Sequence, residues 1–283
     1  MTNKKVYLKT KDYSISGDVF ELLYNESLDM LETSPKPTEE KLADYYKSKN
    51  YISHTDSKRN LFEKSYQIAK NVSLKKKLKL INSLPSNGKN LLDIGCGTGD
   101  FLAIAKENKW RITGIEPNND ARNIANKKAG NKIFESNHLS QLKENTFDVI
   151  TLWHVLEHIS DLEEHVVIFN KLLKENGTLI IAVPNYKSFD AKYYNEFWAA
   201  YDVPRHLWHF SKKSIDKLFL QKKMYVLKTI PMKFDAFYVC LLSEKYKSGR
   251  MNLFKAFYIG LLSNFKAIKT KEYSSLIYLI KNN

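Results

Sequence analysis

With 283 residues, 43% of them hydrophobic and 27% charged, the chain lies far from the composition of disorder and is long enough for one α/β domain with appendages or two modest domains. Only two cysteines occur, Cys96 and Cys240, and no secretory apolar core follows Met1-Thr2-Asn3-Lys4-Lys5, so a reducing, cytoplasmic setting is expected. The formal net charge of +14 invites a nucleic-acid partner, but the only arginines are Arg59, Arg111, Arg122, Arg205 and Arg250 and the lysines are spread along the chain, which disfavours one.

In chain order, β-like runs at 19–24 and 28–32 flank Asn25-Glu26-Ser27 and are stopped by Pro35-Lys36-Pro37, which predicts a small hairpin. Thr38 with Glu39-Glu40 can cap a helix over 41–47, and 61–84 carries helical spacing through Phe62, Tyr66, Ala69, Leu74, Leu78 and Ile81. Residues 1–85 therefore read as an N-terminal appendage of hairpin and helices. From Asn90 the rhythm changes to apolar strands alternating with helical segments: strands at 90–94, 111–116, 132–135, 148–153 and 177–184, with further runs at 225–230 and 275–280. The expected fold of residues 86–283 is α/β, a Rossmann-like, seven-stranded, mostly parallel sheet. The apolar stretch 253–262 is about half the ~20 residues that span a bilayer.

Three motifs carry chemistry. Leu91-Leu92-Asp93-Ile94-Gly95-Cys96-Gly97-Thr98-Gly99-Asp100 is a buried strand entering a glycine-rich turn and then a helix; glycine allows the sharp turn and close ligand approach, and the new helix offers unpaired N–H groups. That arrangement is a nucleotide-cofactor loop. Asp100 stands where the dinucleotide fingerprint needs glycine, which disfavours NAD. Ile112-Thr113-Gly114-Ile115-Glu116-Pro117 ends the second strand near the offset at which a carboxylate meets a ribose diol. Phe147-Asp148-Val149-Ile150-Thr151-Leu152-Trp153-His154-Val155-Leu156-Glu157-His158-Ile159 places Trp153 and His154 at the carboxyl end of a strand, where open α/β sheets bind ligands.

The glycine loop resembles motif I, and the Trp153 to Ile159 run motif IV, of class I S-adenosylmethionine-dependent methyltransferases, the latter in the form found in the ubiquinone and menaquinone biosynthesis group and its bacterial relatives. The resemblance implies S-adenosylmethionine as cofactor, held at Asp93, Gly95, Cys96, Gly97 and Gly99, with Glu116 on the ribose beside Pro117, adenine near Asn137 or His138, and Trp153 and His154 facing the methyl donor. Many relatives carry an N-terminal zinc ribbon with a C-x-x-C pair. Here Tyr24-Asn25-Glu26-Ser27 holds the comparable place, so a metal-free remnant is expected.

His154-Val155-Leu156-Glu157-His158 also satisfies the inverted zinc-protease pattern, but a strand directly upstream and an earlier cofactor loop disfavour that reading, and no metal is expected. His154 is a candidate general base or a cofactor-wall residue, and both roles remain open. An aromatic insertion at about 185–211 contains Tyr201-Asp202-Val203-Pro204-Arg205-His206-Leu207-Trp208-His209-Phe210-Ser211. It reads as a lid bordering the acceptor through Tyr201, Arg205, His206 and Trp208, or as a small aromatic core, with Ser211 capping the next helix. Tyr201 and His206 join His154 as candidate catalytic residues. The expected acceptor is a small molecule; RNA or protein methylation and a non-catalytic cofactor-binding scaffold are the alternatives, no membrane span is expected, and the oligomeric state is left open.

Overall fold

The structure is a computed structural model that describes residues 5–38, 41, 45, 61–85 and 88–283. They form two compact units. One comprises Met1–Lys47, His154–Leu162 and Ala182–Tyr278, and the other Ser48–Trp153, Glu163–Ile181 and Leu279–Asn283.

The second unit holds the strand and helix alternation. In chain order it contains α1 (Leu61–Asn82), β4 (Asn90–Ile94), α2 (Asp100–Glu107), β5 (Arg111–Ile115), α3 (Asn119–Ala129), β6 (Ile133–Phe134), β7 (Phe147–Trp153), α4 (Leu162–Leu172) and the start of β8 (Leu173–Pro184), the first three strands of the chain being numbered below. With β10 (Met224–Pro231) and β11 (Ser275–Asn282) these strands make a seven-stranded sheet in the order β10-β11-β8-β7-β4-β5-β6, and β7–β4, β4–β5 and β5–β6 pair in parallel. The apolar runs explain the order: Leu91, Leu92, Val149, Ile150 and Leu152 are fully buried, as central strands covered on both faces require. Because the chain passes from β4 to β5 and β6 and then returns to the other side of β4, the carboxyl ends of β4, β5 and β7 form the topological switch point.

The first unit is built on an antiparallel sheet, β1 (Lys5–Lys11), β2 (Val19–Asn25), β3 (Met30–Ser34) and β9 (Trp208–His209). It also contains α5 (Phe189–Tyr194), α6 (Lys212–Leu220), α7 (Asp235–Ser248) and α8 (Leu253–Thr270). The expected hairpin is β2–β3, but it is neither two-stranded nor isolated. β1 joins on one side, and β9, from the aromatic segment, joins on the other through Leu31↔His209 and Glu32↔Trp208. β1 escapes pattern reading because its side chains are mostly exposed and give no clean alternation. The β2–β3 turn, where the resemblance would place thiolates, is closed by hydrogen bonds to the Asn25 carboxamide oxygen from Ser27 Oγ (2.7 Å) and Leu28 N–H (3.2 Å). The helix expected over 41–47 lies largely outside the described residues, although Thr38 Oγ1 accepts the Lys41 N–H at 3.4 Å.

Ser211 caps α6 as expected, accepting the Ser214 N–H at 3.0 Å while Ser214 Oγ accepts the Ser211 N–H at 2.8 Å. The insertion before it is an aromatic core: Trp198, Tyr194, Tyr186 and Tyr201 are buried with Leu22 and Leu31 of the sheet.

Candidate cofactor site and the histidine cluster

The glycine loop is fixed by its neighbours before any ligand is considered. The N–H groups of Gly95 and Cys96 both donate to the Ile115 carbonyl (2.8 and 3.1 Å), which ties the loop to the end of β5. Gly99, the N-cap of α2, has φ +77, and a Cβ on it would stand 2.9 Å from that of Ala125, so glycine lets α2 start close against α3. Gly97 differs: φ is +54, and a Cβ there would meet nothing within 4 Å. Space is open above this backbone, as a ligand approaching the loop requires.

Glu116, 7% exposed, faces the same loop. Its Oε2 accepts the Gly97 N–H (2.8 Å) and its Oε1 the Asn118 N–H (2.9 Å). Each oxygen keeps a further lone pair for a hydroxyl, so the carboxylate is pre-aimed and can still grip a diol. Burial raises its pKa against these N–H bonds. Arg122 braces the turn by donating to the carbonyls of Glu116 (2.8 Å) and Pro117 (3.0 Å). Open space at Gly97 beside a buried acceptor pair fits a ribose-bearing cofactor.

Asp93 sits beneath the loop. It is buried, accepts Thr151 Oγ1 at 2.5 Å, and has its pKa raised to about 7, chiefly by burial, with Thr151 and Lys77 opposing and Glu116 adding to the rise. The Cys96 thiol is likewise pushed up by burial and by the carboxylates of Asp93 and Glu116, so it is no ready nucleophile. Asp100 at the start of α2 is held by Lys70 (2.7 Å) and Lys128 (2.8 Å). After β6, Ser136–Gln141 forms a short 3-10 turn in which Asn137 is exposed and bonded to Glu135, while His138 stacks on Phe134 with ring centres 4.1 Å apart. Trp153 ends β7 with Phe101 packed edge-on at 5.8 Å and the Lys77 ammonium 4.5 Å over its ring. Its indole N–H is buried without an acceptor among the described residues.

In the other unit, the segment after Trp153 is not a helix carrying two histidines on one face, as the protease pattern requires. His154 has φ +58 and the following residues form a single 3-10 turn, Leu156–His158. His154 Nδ1 lies 3.4 Å from Glu157 Oε1 and Nε2 lies 3.2 Å from Asp235 Oδ2. Burial opposes its charge, but the two carboxylates outweigh that and raise its pKa to about 10. His158 moves the other way, to about 4, through burial and the neighbouring His206. Its Nδ1 donates to the Arg205 carbonyl (2.9 Å), and His206 Nδ1 donates to the Ala200 carbonyl (2.9 Å) while its Nε2 lies 3.9 Å from Asp202 Oδ2; a carbonyl can only accept, so the neutral His158 ring has its lone pair on Nε2. Glu157, His158 and His206 each bring one ligand-type atom within 4.8 Å of the others.

The aromatic segment is stitched to this turn: Leu207 N–H donates to the Glu157 carbonyl (2.8 Å) and Trp208 Nε1 to the Ile159 carbonyl (2.6 Å). Tyr201, 2% exposed, packs edge-on against Trp198 (5.0 Å) and His209 (5.4 Å). Arg205, expected to anchor an acidic group, finds its acids within the chain: Asp12 at 3.0 Å and Asp202 at 2.6 Å. Asp235, Asp12 and Thr151 escaped sequence reading because each acts on its partner across 58 or more residues, a distance at which periodicity and spacing say nothing, and Lys77 because it reaches Asp93 from a separate helix.

Residues 64–223 match the family model for a methyltransferase domain. A ubiquinone biosynthesis O-methyltransferase of Glaesserella parasuis is 34% identical over 114 residues, covering 35% of this chain and 46% of that protein. The chain spans about half the length of the curated relatives it matches. Among solved structures, magnesium protoporphyrin IX methyltransferase from Synechocystis PCC 6803 with bound SAH aligns at a TM-score of 0.56 and 13% identity, over 87% of this chain and all of that one. The [4+2]-cyclase SpnF aligns at 0.51 and 17%, over 81% and 84%. At such identities the likeness concerns the fold alone.

Proposed function

The chain belongs to the methyltransferase domain family, and from that membership we propose that it moves the methyl group of S-adenosylmethionine to a small-molecule acceptor, releasing S-adenosylhomocysteine. The observation that carries this reading is the pairing of Gly97, left-handed with open space at its Cβ, with the buried Glu116 carboxylate that already orders the loop. Gly95, Cys96, Gly97 and Gly99 provide the backbone cradle over Asp93, Glu116 takes the ribose hydroxyls beside Pro117, Asn137 and His138 edge the adenine, and Trp153 walls the site. Bound there, the cofactor supplies an electrophilic sulfonium methyl, and the protein's main task is to align an acceptor with it and exclude water.

His154, held as an imidazolium between Glu157 and Asp235, serves as a fixed positive charge that positions the turn rather than as a neutral base. We assign His206, tied by its Nδ1 to the Ala200 carbonyl, to take the proton of a protic acceptor, with Tyr201 holding the segment that carries it. Glu157 has its charge balanced by His154, so the reading invokes no metal. The cyclase among the fold neighbours shows why the fold leaves the reaction open: an RNA or protein methyltransferase or a non-catalytic scaffold would share it.

Calorimetry with S-adenosylhomocysteine tests the cofactor site. Glu116→Ala is expected to weaken binding about a hundredfold through loss of charge-assisted hydrogen bonds. Gly97→Val strains a left-handed backbone position although its side chain enters open space, so its Tm is read first; the folded variant should fill the place of the ligand and abolish binding. Unchanged affinity in both variants overturns the assignment. S-adenosylhomocysteine release across an acceptor panel then separates an enzyme from a scaffold.

A further inference from the structure

We propose that α8 lies on the surface of an anionic phospholipid bilayer, an interaction independent of the methyl-transfer reading. The helix presents its residues inside out. Its inner face packs mostly through small residues: Ala256, Gly260, Ser263 and Ala267 are buried together with Ile259, and a Cβ on Gly260 would stand 2.8 Å from the Phe237 ring of α7. Most of the large apolar side chains point away from the core, Phe257 with one face stacked on Phe237 of α7 at 5.2 Å. Phe254, Phe257, Tyr258, Leu261, Phe265 and Ile268 are 50–92% exposed, with Phe254 the most. At ~100° per residue they fall on one stripe about 100° wide, the width with which an amphipathic helix ordinarily faces a core. No soluble helix gains from turning such a stripe to water.

Charge identifies the occupant. From Lys245 to Lys271 the sequence contains Lys245, Lys247, Arg250, Lys255, Lys266, Lys269 and Lys271 and no aspartate or glutamate. Lys255 is paired with Glu244 (3.1 Å) and the Lys266 ammonium lies 3.8 Å over the Phe189 ring, whereas Lys245, Arg250, Lys269 and Lys271 are exposed. A second copy of this chain meeting the stripe about a twofold axis would bring this cationic set against itself. An anionic lipid surface receives both features at once: the aromatic and aliphatic stripe enters the boundary between headgroups and acyl chains, and the lysines meet lipid phosphate. The helix lies in the plane, because no helix of the described residues is long and apolar enough to cross.

Co-sedimentation of the full chain with vesicles is the test. Binding is expected to equimolar phosphatidylcholine and phosphatidylglycerol, to fall at least about tenfold on pure phosphatidylcholine, and to weaken with salt. The double variant Phe254→Ser with Phe265→Ser alters only exposed positions; it should keep the wild-type Tm and calorimetric cofactor binding while losing at least about tenfold in vesicle binding. Failure of the wild type to bind the anionic vesicles, or equal binding by the folded double variant, overturns the proposal. So does a lipid-free dimer in analytical ultracentrifugation that the same substitutions dissolve, since a second copy would then cover the stripe. None of these outcomes bears on the cofactor site, which is read separately by calorimetry.

Discussion

Asp93 shows how a single buried side chain can weigh against the fold. Its carboxyl is 3% exposed with one hydroxyl donor, and burial lifts its pKa from the ordinary carboxylate range to about 7. A raised acid pKa means that the folded state holds the proton more tightly than the unfolded chain. The stability this contributes is complete below about pH 4 and lost as pH rises through about 7. At pH 8 the cofactor-free protein therefore carries a buried, poorly solvated charge. Asp93→Asn, which keeps an oxygen for Thr151, is expected to raise stability in denaturant unfolding at pH 8 by about 3 kcal/mol, with the gain vanishing near pH 4. No gain at pH 8 would mean that the carboxylate is solvated or paired in solution. The residues of this site were legible in the sequence where the chemistry is local: three glycines at alternate positions, and a glutamate at the end of the next strand. The settings that tune them, Thr151 and Lys77 for Asp93 and Asp235 for His154, come from folding and leave no mark on spacing.

Strands covered on both faces announce themselves as apolar runs: 90–94 matches its strand to the residue, and 111–116, 148–153, 177–184 and 275–280 fall on observed strands with shifts at their ends, while 225–230 falls on the largely exposed β10. The exposed β1 and the two helices α7 and α8, whose outward aromatics confuse inside with outside, went unassigned. The aromatic insertion was legible as an element and ambiguous in purpose, since a lid and a core use the same residues. Arg205 decides what this insertion does for stability. Its guanidinium, 5% exposed, joins the segment to β1's following turn through Asp12, which also accepts the N–H groups of Ser14 (2.9 Å) and Ser16 (3.0 Å), and to its own chain through Asp202. Removing it leaves a buried carboxylate without its cation. Arg205→Ala is expected to cost about 3–5 kcal/mol, read as a lower Tm, and Asp12→Asn in that background should recover part of the loss. If Arg205→Ala instead keeps its Tm and raises KM for an acidic acceptor, the residue is an acceptor anchor.

At the scale of the whole molecule the informative quantity is where the net charge of +14 resides. Read along the chain, the lysines look evenly spread, yet the stretch from Lys245 to Lys271 holds seven cations and no acid, and folding joins it to an apolar stripe. A nucleic-acid track needs the opposite accompaniment: arginines for bidentate phosphate contacts and aromatic faces spaced to stack single-stranded bases along a groove. The stripe on α8 is convex and half aliphatic, and Arg250 is its one nearby arginine. The surplus charge should therefore give nucleic acid only the sequence-independent attraction of any basic surface. Fluorescence anisotropy with a single-stranded RNA oligonucleotide is expected to give a Kd weaker than about 1 μM at physiological salt, with affinity falling steeply as salt rises and no preference among sequences. In the same samples, labelled methyl from S-adenosylmethionine should not enter the RNA. Tight, weakly salt-dependent binding together with methyl incorporation would make RNA the acceptor and turn the basic stretch into a phosphate contact. Weak, salt-labile binding without incorporation leaves the lysines to an anionic surface and the methyl group to a small molecule.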